Sequence, residues 1–361
     1  GHAIQSANTV SSATVGGTAA GQGNVIRGGA GGDGVSIAAT TGAGSDISVL
    51  GNSIHTNSNL GIDLNNDGPT VNDAGDAEVG VNDLLNYQVI TSAVFNGTDV
   101  DVVVDFEAHN AGRAEFFVNP GGDNEAQTFV AAQAIGAGGL SAYAFTIPGA
   151  VGDRLTVTFT EDLGSGNWGP TSEISPVFVV GATISGTIYE DVNGDGSVAD
   201  GVGVNGVSVW VFKDQGNGVP DAGDAMETTV TTSGGGADSA RVKSSGTYWV
   251  AVDSVDIGAS AGYNIGFTSN DVWAEQTYAT GGAVRFDGAV YSYLGAPGAF
   301  FGGKQAHVSD GFPVLSEAEH LHRVVVAGSS VSNVNSGFSF NAITNTTDTA
   351  ATSTFTSLSS W

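Results

Sequence analysis

The chain has 361 residues, with 37 acidic against 9 basic side chains, a formal charge of −28, 56 glycines and no cysteine. Nothing in it forms a basic stripe, which argues against nucleic-acid binding, and the missing thiols leave no disulfide or thiol chemistry. No run of about 18 apolar residues exists, so no membrane-spanning helix is expected.

The length predicts two or three domains. Abundant Gly, Val, Thr, Ser and Asn, with little Leu, Lys or Glu, predicts many strands and tight turns rather than helices. The expected fold class is all-β: a short right-handed parallel β-helix segment followed by two β-sandwich domains. The start falls inside a repeating pattern and carries no visible signal peptide, which suggests a processed product or an excised fragment.

Residues 1–86 contain an internal repeat. Asn24–Gly28 and Asn52–Thr56 start 28 residues apart and lead into Gly34–Ile37 and Gly61–Leu64, which start 27 apart, with Asp46–Leu50 a further strand between them. Short strands at this interval fit rungs of a parallel β-helix in which Val and Ile stack and Asn can ladder at the bends. So few rungs need capping at each end. Residues 1–20 form either an incomplete rung or a surface that pairs with another subunit. Within this region Asp63, Asn65 and Asp67 alternate before Gly68, a spacing that can converge oxygens on a hard divalent cation.

Residues 87–180 change rhythm to longer alternating strands, Val100–Phe106, Ala114–Val118, Ala142–Ile147 and Arg154–Thr160, separated by Gly-rich turns. This fits an antiparallel sandwich of immunoglobulin-like character. Residues 181–344 form a second sandwich, with a long insert at 258–322 and a Ser/Thr-rich tail at 345–361. Its most informative stretch is Tyr189–Asp200, where Asp191, Asn193 and Asp195 alternate and Gly196 follows. Oxygen side chains at every second position of a tight loop suit calcium, which takes six to eight oxygens in a flexible shell, and Asp200 or Glu190 can complete it. A second acidic loop offers Asp214, Asn217, Asp221 and Asp224. The plain alternative for all three loops is a set of solvated Asx-rich turns. A saline habitat is a rival explanation of the acidity.

Two features of the insert region carry further chemistry. Its aromatic residues, Trp273, Tyr291, Tyr293, Phe300 and Phe301, are either a ligand platform or, as favoured here, core packing. His320 and His322, near Glu317 and Glu319, put two imidazoles on one strand face, either as a metal pair or as polar edge residues.

Residues 21–180 resemble the end of a β-helix array followed by a small sandwich in very large bacterial surface or secreted proteins, on the strength of Gly21–Ile26, Gly61–Gly68, Asn72–Asp76 and Ala114–Val118. Residues 182–341 resemble the calcium-binding B-type repeat of serine–aspartate-repeat adhesins and prealbumin-like modules, through Ile184–Gly196, Gly206–Trp210, Gly218–Asp224 and Gly246–Val250. That resemblance implies calcium at Asp191, Asn193, Asp195 and Asp200, rigidifying a rod of modules. The long insert and the tail depart from the family pattern.

Catalysis is not expected. Arg27 is the one basic residue before Arg113, and no nucleophile elbow or phosphate loop is present. An intramolecular bond from Lys213 or Lys243 to an Asn such as Asn341 lacks a diagnostic motif. The expected function is an extracellular or cell-surface structural protein, a calcium-stiffened β-rod serving as a segment of a filament, sheet or stalk. Self-association is expected through terminal strands, including Thr354–Leu358 of the tail. The alternative is an adhesion module binding a glycan or a protein; a polysaccharide-active enzyme is a more distant one.

Overall fold

The computed structural model describes residues 1–6, 10–28, 31–38, 45–77, 79–107, 110–192, 197–199, 201–258, 274–280, 283–286, 291–293, 315 and 320–339. Described strands dominate throughout, and the chain is all-β. It divides into two compact units, Gly1–Gly181 and Ala182–Trp361.

The first unit begins with seven short strands: β1 (Ile4–Ser6), β2 (Ser12–Gly16), β3 (Val25–Ile26), β4 (Val35–Ile37), β5 (Asp46–Leu50), β6 (Ser53–Ile54) and β7 (Ile62–Leu64). All pair in parallel, in three ladders: β1–β4–β7, β2–β5 and β3–β6. The registers put like on like, with Ile4 beside Val35 and Val35 beside Ile62, Val15 beside Val49, and Ile26 beside Ile54. Each column therefore buries a β-branched or Leu side chain against its own kind, and Ile26, Val35, Ile37, Ile47, Val49, Ile54, Ile62 and Leu64 form one core. At about 1.5–3 kcal/mol for each fully buried aliphatic side chain, this stacking is the main force holding strands of two to five residues together. At one bend Asn24 donates its backbone N–H and its Nδ2 to Asn52 Oδ1 (2.9 and 3.0 Å), and Asn52 Nδ2 donates to Val15 O (2.8 Å). The 28-residue spacing read from the sequence is this amide ladder.

From Val89 the pairing becomes antiparallel. β8 (Val89–Phe95), β9 (Val100–Phe106) and β12 (Ser141–Ile147) form one sheet; β10 (Gly112–Asn119), β11 (Thr128–Ile135), β13 (Arg154–Gly164), β14 (Asn167–Thr171) and β15 (Phe178–Val179) form the other. Both sheets contribute to a single core, including Val100, Val102, Val104, Phe106, Phe116, Val157 and Phe159. Several of its rings meet edge to face, with Phe106 and Phe159 centroids 5.8 Å apart and Phe116 and Phe145 5.7 Å apart.

Strand β10 is buried on both faces. Ala114 and Phe116 enter the core between the two antiparallel sheets, while Phe117 joins Ile54 and Ile62 in the ladder core. Residues 1–86 and 87–181 therefore pack as one unit.

The second unit contains β16 (Ala182–Glu190), β17 (Val202–Gly203), β18 (Ser208–Lys213), β19 (Ala225–Thr231), β20 (Ala237–Val242), β21 (Gly246–Val252), β22 (Glu275–Ala279), β23 (Ala283–Phe286), β24 (Tyr291–Tyr293), β25 (Leu321–Val326) and β26 (Ser336–Ser339). One sheet runs β17–β16–β26–β22 with β20 also on β16; the other runs β19–β18–β21–β25–β23–β24. Only β16 and β26 pair in parallel among these described strands. Trp210, Phe212, Trp249, Ala251, Leu315 and Leu321 cluster in its core.

Candidate functional site

The first acidic loop leaves the end of β16. Asp191 is fully buried; its backbone N–H donates to Phe338 O (2.7 Å), and its Oδ2 accepts from Thr277 Oγ1 (2.6 Å). Asp191 is thus tied to both β26 and β22. Asn193, Asp195 and Asp200 lie outside the described residues.

The second acidic loop connects β18 to β19 and brings its four expected residues together. Asp214 accepts from the N–H groups of Gly216 and Gly218 (3.1 Å each), and Asp224 from those of Gln215 (3.0 Å) and Asp221 (3.1 Å). Asn217 Nδ2 donates to Asp221 Oδ2 (2.6 Å), whose other oxygen accepts from Gly223 N (2.7 Å). Gly216 and Gly218 adopt φ of 100° and 72°, left-handed conformations that glycine takes without strain. Burial pushes the Asp224 carboxyl above its ordinary range; backbone donors oppose the shift, and the charges of Asp221 and Asp214 add to it. Three carboxylates sharing one loop is the electrostatic condition that a bound cation relieves.

In the third loop Asn65 and Asp67 are bonded to each other, Asn65 Nδ2 to Asp67 Oδ2 at 2.8 Å. Asp63, on β7, receives Gly68 N–H on Oδ2 (3.3 Å), and its carboxyl is raised by burial and then by the charge of Asp33 from the preceding rung. Among the described residues no three His, Asp or Glu side chains gather as a ready metal cluster.

His320 and His322 are each 1% exposed, so they are not edge residues: β25 lies between β21 and β23. His322 Nε2 meets Gln276 Nε2 (2.8 Å) and Ser336 Oγ, and burial, with the nearby His320, lowers its pKa to about 3. Glu317 and Glu319 lie outside the described residues, as do Trp273, Phe300, Phe301 and the tail including Asn341. Lys213 Nζ donates to Ser244 Oγ and lies 5.9 Å from the centre of the Tyr248 ring.

The residues that sequence reading missed are buried carboxylates and amides at the end of the parallel ladders. Glu115 accepts Gly51 N–H (2.7 Å) and pairs with Arg113 Nε (2.8 Å). Glu125 accepts Asn57 N (3.1 Å) and Nδ2 (2.9 Å), and Glu173 accepts Leu64 N, Thr70 N (3.0 Å each) and Thr70 Oγ1 (3.2 Å). Thr171 Oγ1 takes Val49 N–H (2.8 Å), and Asn82, wholly buried, bonds Ile47 N (2.9 Å), Ile47 O (2.7 Å) and Thr171 O (3.0 Å). Burial raises the carboxyls of Glu125 and Glu173, while the donors from Asn57, Leu64 and Thr70 act in the opposite direction. Asn82, Thr171 and Glu173 occupy the Ile47, Val49 and Leu64 N–H groups of β5 and β7 that a further parallel strand would otherwise take, so they close that side of the ladders. One signal was available: Glu115 interrupts the apolar run Ala114–Val118 on a strand whose two faces are both covered.

No protein-family model matches the sequence. Among solved structures, the major pilin subunit BcpA of Bacillus cereus aligns at 9% identity over 70% of this chain and 70% of that one, with a TM-score of 0.20. A single-substitution variant of that subunit aligns at 9% identity over 69% and 70%, also at 0.20. Likeness at this level carries no argument about fold or role. No helix among the described residues is long and apolar enough to cross a membrane.

Proposed function

We propose that this chain is a non-catalytic, extracellular or cell-surface structural protein, stiffened by calcium, that serves as a segment of a filament, sheet or stalk. In this reading the parallel ladders are a short right-handed β-helix, residues 87–181 an immunoglobulin-like sandwich and the second unit a prealbumin-like B-type module. The observation that supports the calcium reading is the loop of Asp214, Asn217, Asp221 and Asp224, which concentrates three carboxylates in eleven residues and raises the Asp224 carboxyl by burial and by the charges of Asp221 and Asp214. The second calcium locus of the same unit is the stretch Asp191–Asp200, with Asp191, Asn193, Asp195 and Asp200 as its ligands by sequence.

Self-association is the partner reading. Among the described residues β1, β2 and β3 each pair on one side only. Residues 1–32 contain no Asp or Glu, in a chain of charge −28. An acid-free strand edge of this kind can be approached by another copy without local carboxylate repulsion.

Thermal unfolding with 5 mM calcium or excess chelator, alongside light scattering, tests both parts. Calcium should raise the melting temperature, and Asp214→Asn with Asp224→Asn should cancel most of that rise. Equal melting with calcium and chelator would overturn the calcium reading, and a strictly monomeric scattering mass at all concentrations would overturn self-association.

A further inference from the structure

The first unit holds a pocket of about 450 Å³ whose lining includes His2, Asp33, Asn59, Asp63, Asn66 and Gly68. Its acidic groups come from successive rungs. Asp33 precedes β4, Asp63 lies on β7, and the two strands are paired with Ser36 beside Asp63. Asp33 is 1% exposed, with Oδ1 accepting Leu60 N–H (3.1 Å) and Oδ2 lying 2.7 Å from His2 Nδ1. Asp63 is 4% exposed; Oδ2 is engaged by Gly68 N–H, while Oδ1 is buried with no hydrogen-bond partner. A carboxylate oxygen held out of water with no donor costs several kcal/mol unless something positive meets it. Asn66 Oδ1, which receives Ser36 Oγ at 3.1 Å, adds a neutral oxygen to the same wall.

We infer that this pocket is a binding site for a hard divalent cation, calcium foremost, held by Asp63 Oδ1 and Asp33 with Asn66 and water completing the shell, so that the ion fastens one rung of the parallel ladder to the next. The ligand set differs from the Asp63–Asn65–Asp67 alternation: the chain turns Asn65 and Asp67 toward each other, and the partner of Asp63 comes from the rung before. Calcium fits because the donors from Asp33, Asp63 and Asn66 are oxygens, with His2 Nδ1 held against Asp33, and calcium tolerates a shell largely made of amide oxygen and water. Two carboxylates make a weak site, with a dissociation constant on the order of 0.1–1 mM, as in extracellular calcium modules. The inference rests on the calcium chemistry of the proposed function but not on the loop 214–224, and either site can fail alone.

Hydrogen exchange of the full-length chain, read by mass spectrometry on peptides covering 31–38 and 58–68, separates the two. Raising calcium from chelator to 10 mM should slow exchange in these peptides, and should raise the melting temperature of the first unit by about 3 °C. Asp63→Asn should abolish that calcium response. In chelator it should also melt no lower than the parent, because Asn keeps the acceptor for Gly68 N–H and removes repulsion from Asp33. Asp33→Asn serves as the second variant. The proposal is overturned if calcium leaves 31–68 unchanged while protecting 214–224, or if Asp63→Asn responds to calcium as the parent does. A variant less stable than the parent in chelator and still calcium-responsive would mark Asp63 as a purely structural acceptor.

Discussion

Two sets of acidic side chains, one in each unit, are used in opposite ways. In the first, Glu115, Glu125 and Glu173 are buried and accept backbone N–H groups between 64 and 109 residues away in sequence. In the second, Asp214, Asp221 and Asp224 accept N–H groups two to nine residues away, inside one loop. The long-range set ties sequence-distant strands together and closes the parallel ladders; the local set shapes a turn and leaves negative charge concentrated there. Removing a member of the first set strands buried donors, whereas removing a member of the second relieves repulsion.

The largest expected effect follows from Asn82. Its side chain bonds Ile47 on both backbone atoms and reaches Thr171 O, all in a fully buried setting, and Ser45 Oγ also donates to it. Asn82 adopts φ of 49°, a left-handed conformation that Asn tolerates better than most residues. Asn82→Ala is expected to cost the first unit about 3–4 kcal/mol, by stranding Ile47 N–H and Thr171 O and by straining the backbone. Glu173→Leu should cost about 2–3 kcal/mol by orphaning Leu64 N–H and Thr70 N–H. Urea unfolding checks both, and losses below about 1 kcal/mol would show that water replaces these caps and that the ladders end for another reason.

That pair also marks where the sequence stopped being informative. The Asn24–Asn52 spacing, the apolar pairs that stack in β3, β4, β6 and β7, and the alternation of Val100–Phe106 are local patterns, and the parallel and antiparallel pairing follow them. The loop 214–224 is legible for the same reason, since its carboxylates and the N–H groups they accept all lie within eleven consecutive residues. Asn82, Glu125 and Glu173 sit in stretches that read as ordinary polar turns, and nothing nearby reveals that the ladder's donors arrive there from far along the chain. Alternation puts His320 and His322 on one face, but the burial of His322 depends on β23 and β21 flanking β25, which is long-range information.

Acid response sharpens the comparison within the second unit. His322, with a pKa near 3 in the fold, is protonated in the unfolded chain below about pH 6.5, so its burial costs stability progressively as pH falls from 6.5 toward 3. Asp238 works the other way: burial raises it to about 6, partly opposed by the Gly186 N–H, so its contribution is present below about pH 3.8 and lost as pH rises through 6. Asp238→Asn should therefore stabilise the second unit at pH 7 by about 1–2 kcal/mol and have little effect at pH 3.5. His322→Gln should flatten the loss between pH 6.5 and 4. Urea midpoints at pH 7, 5 and 3.5 test both signs, and parallel pH profiles for parent and variants would show that neither group titrates with folding.

The smallest effect belongs to the bend ladder, and it separates stacking from hydrogen bonding as the source of parallel order. Asn24 is exposed, so Asn24→Ala removes its Nδ2 bond to Asn52 Oδ1 while leaving the backbone N–H bond to the same oxygen. The expected cost is about 0.5–1 kcal/mol. Ile54→Ala on the adjoining strand removes a side chain 2% exposed in the ladder core and should cost about 2–4 kcal/mol. Urea unfolding of the two variants side by side decides the order. If Asn24→Ala proves the more damaging, the amide ladder rather than the aliphatic column sets the register of the rungs, and the like-on-like stacking of Ile26 and Ile54 is a consequence of that register.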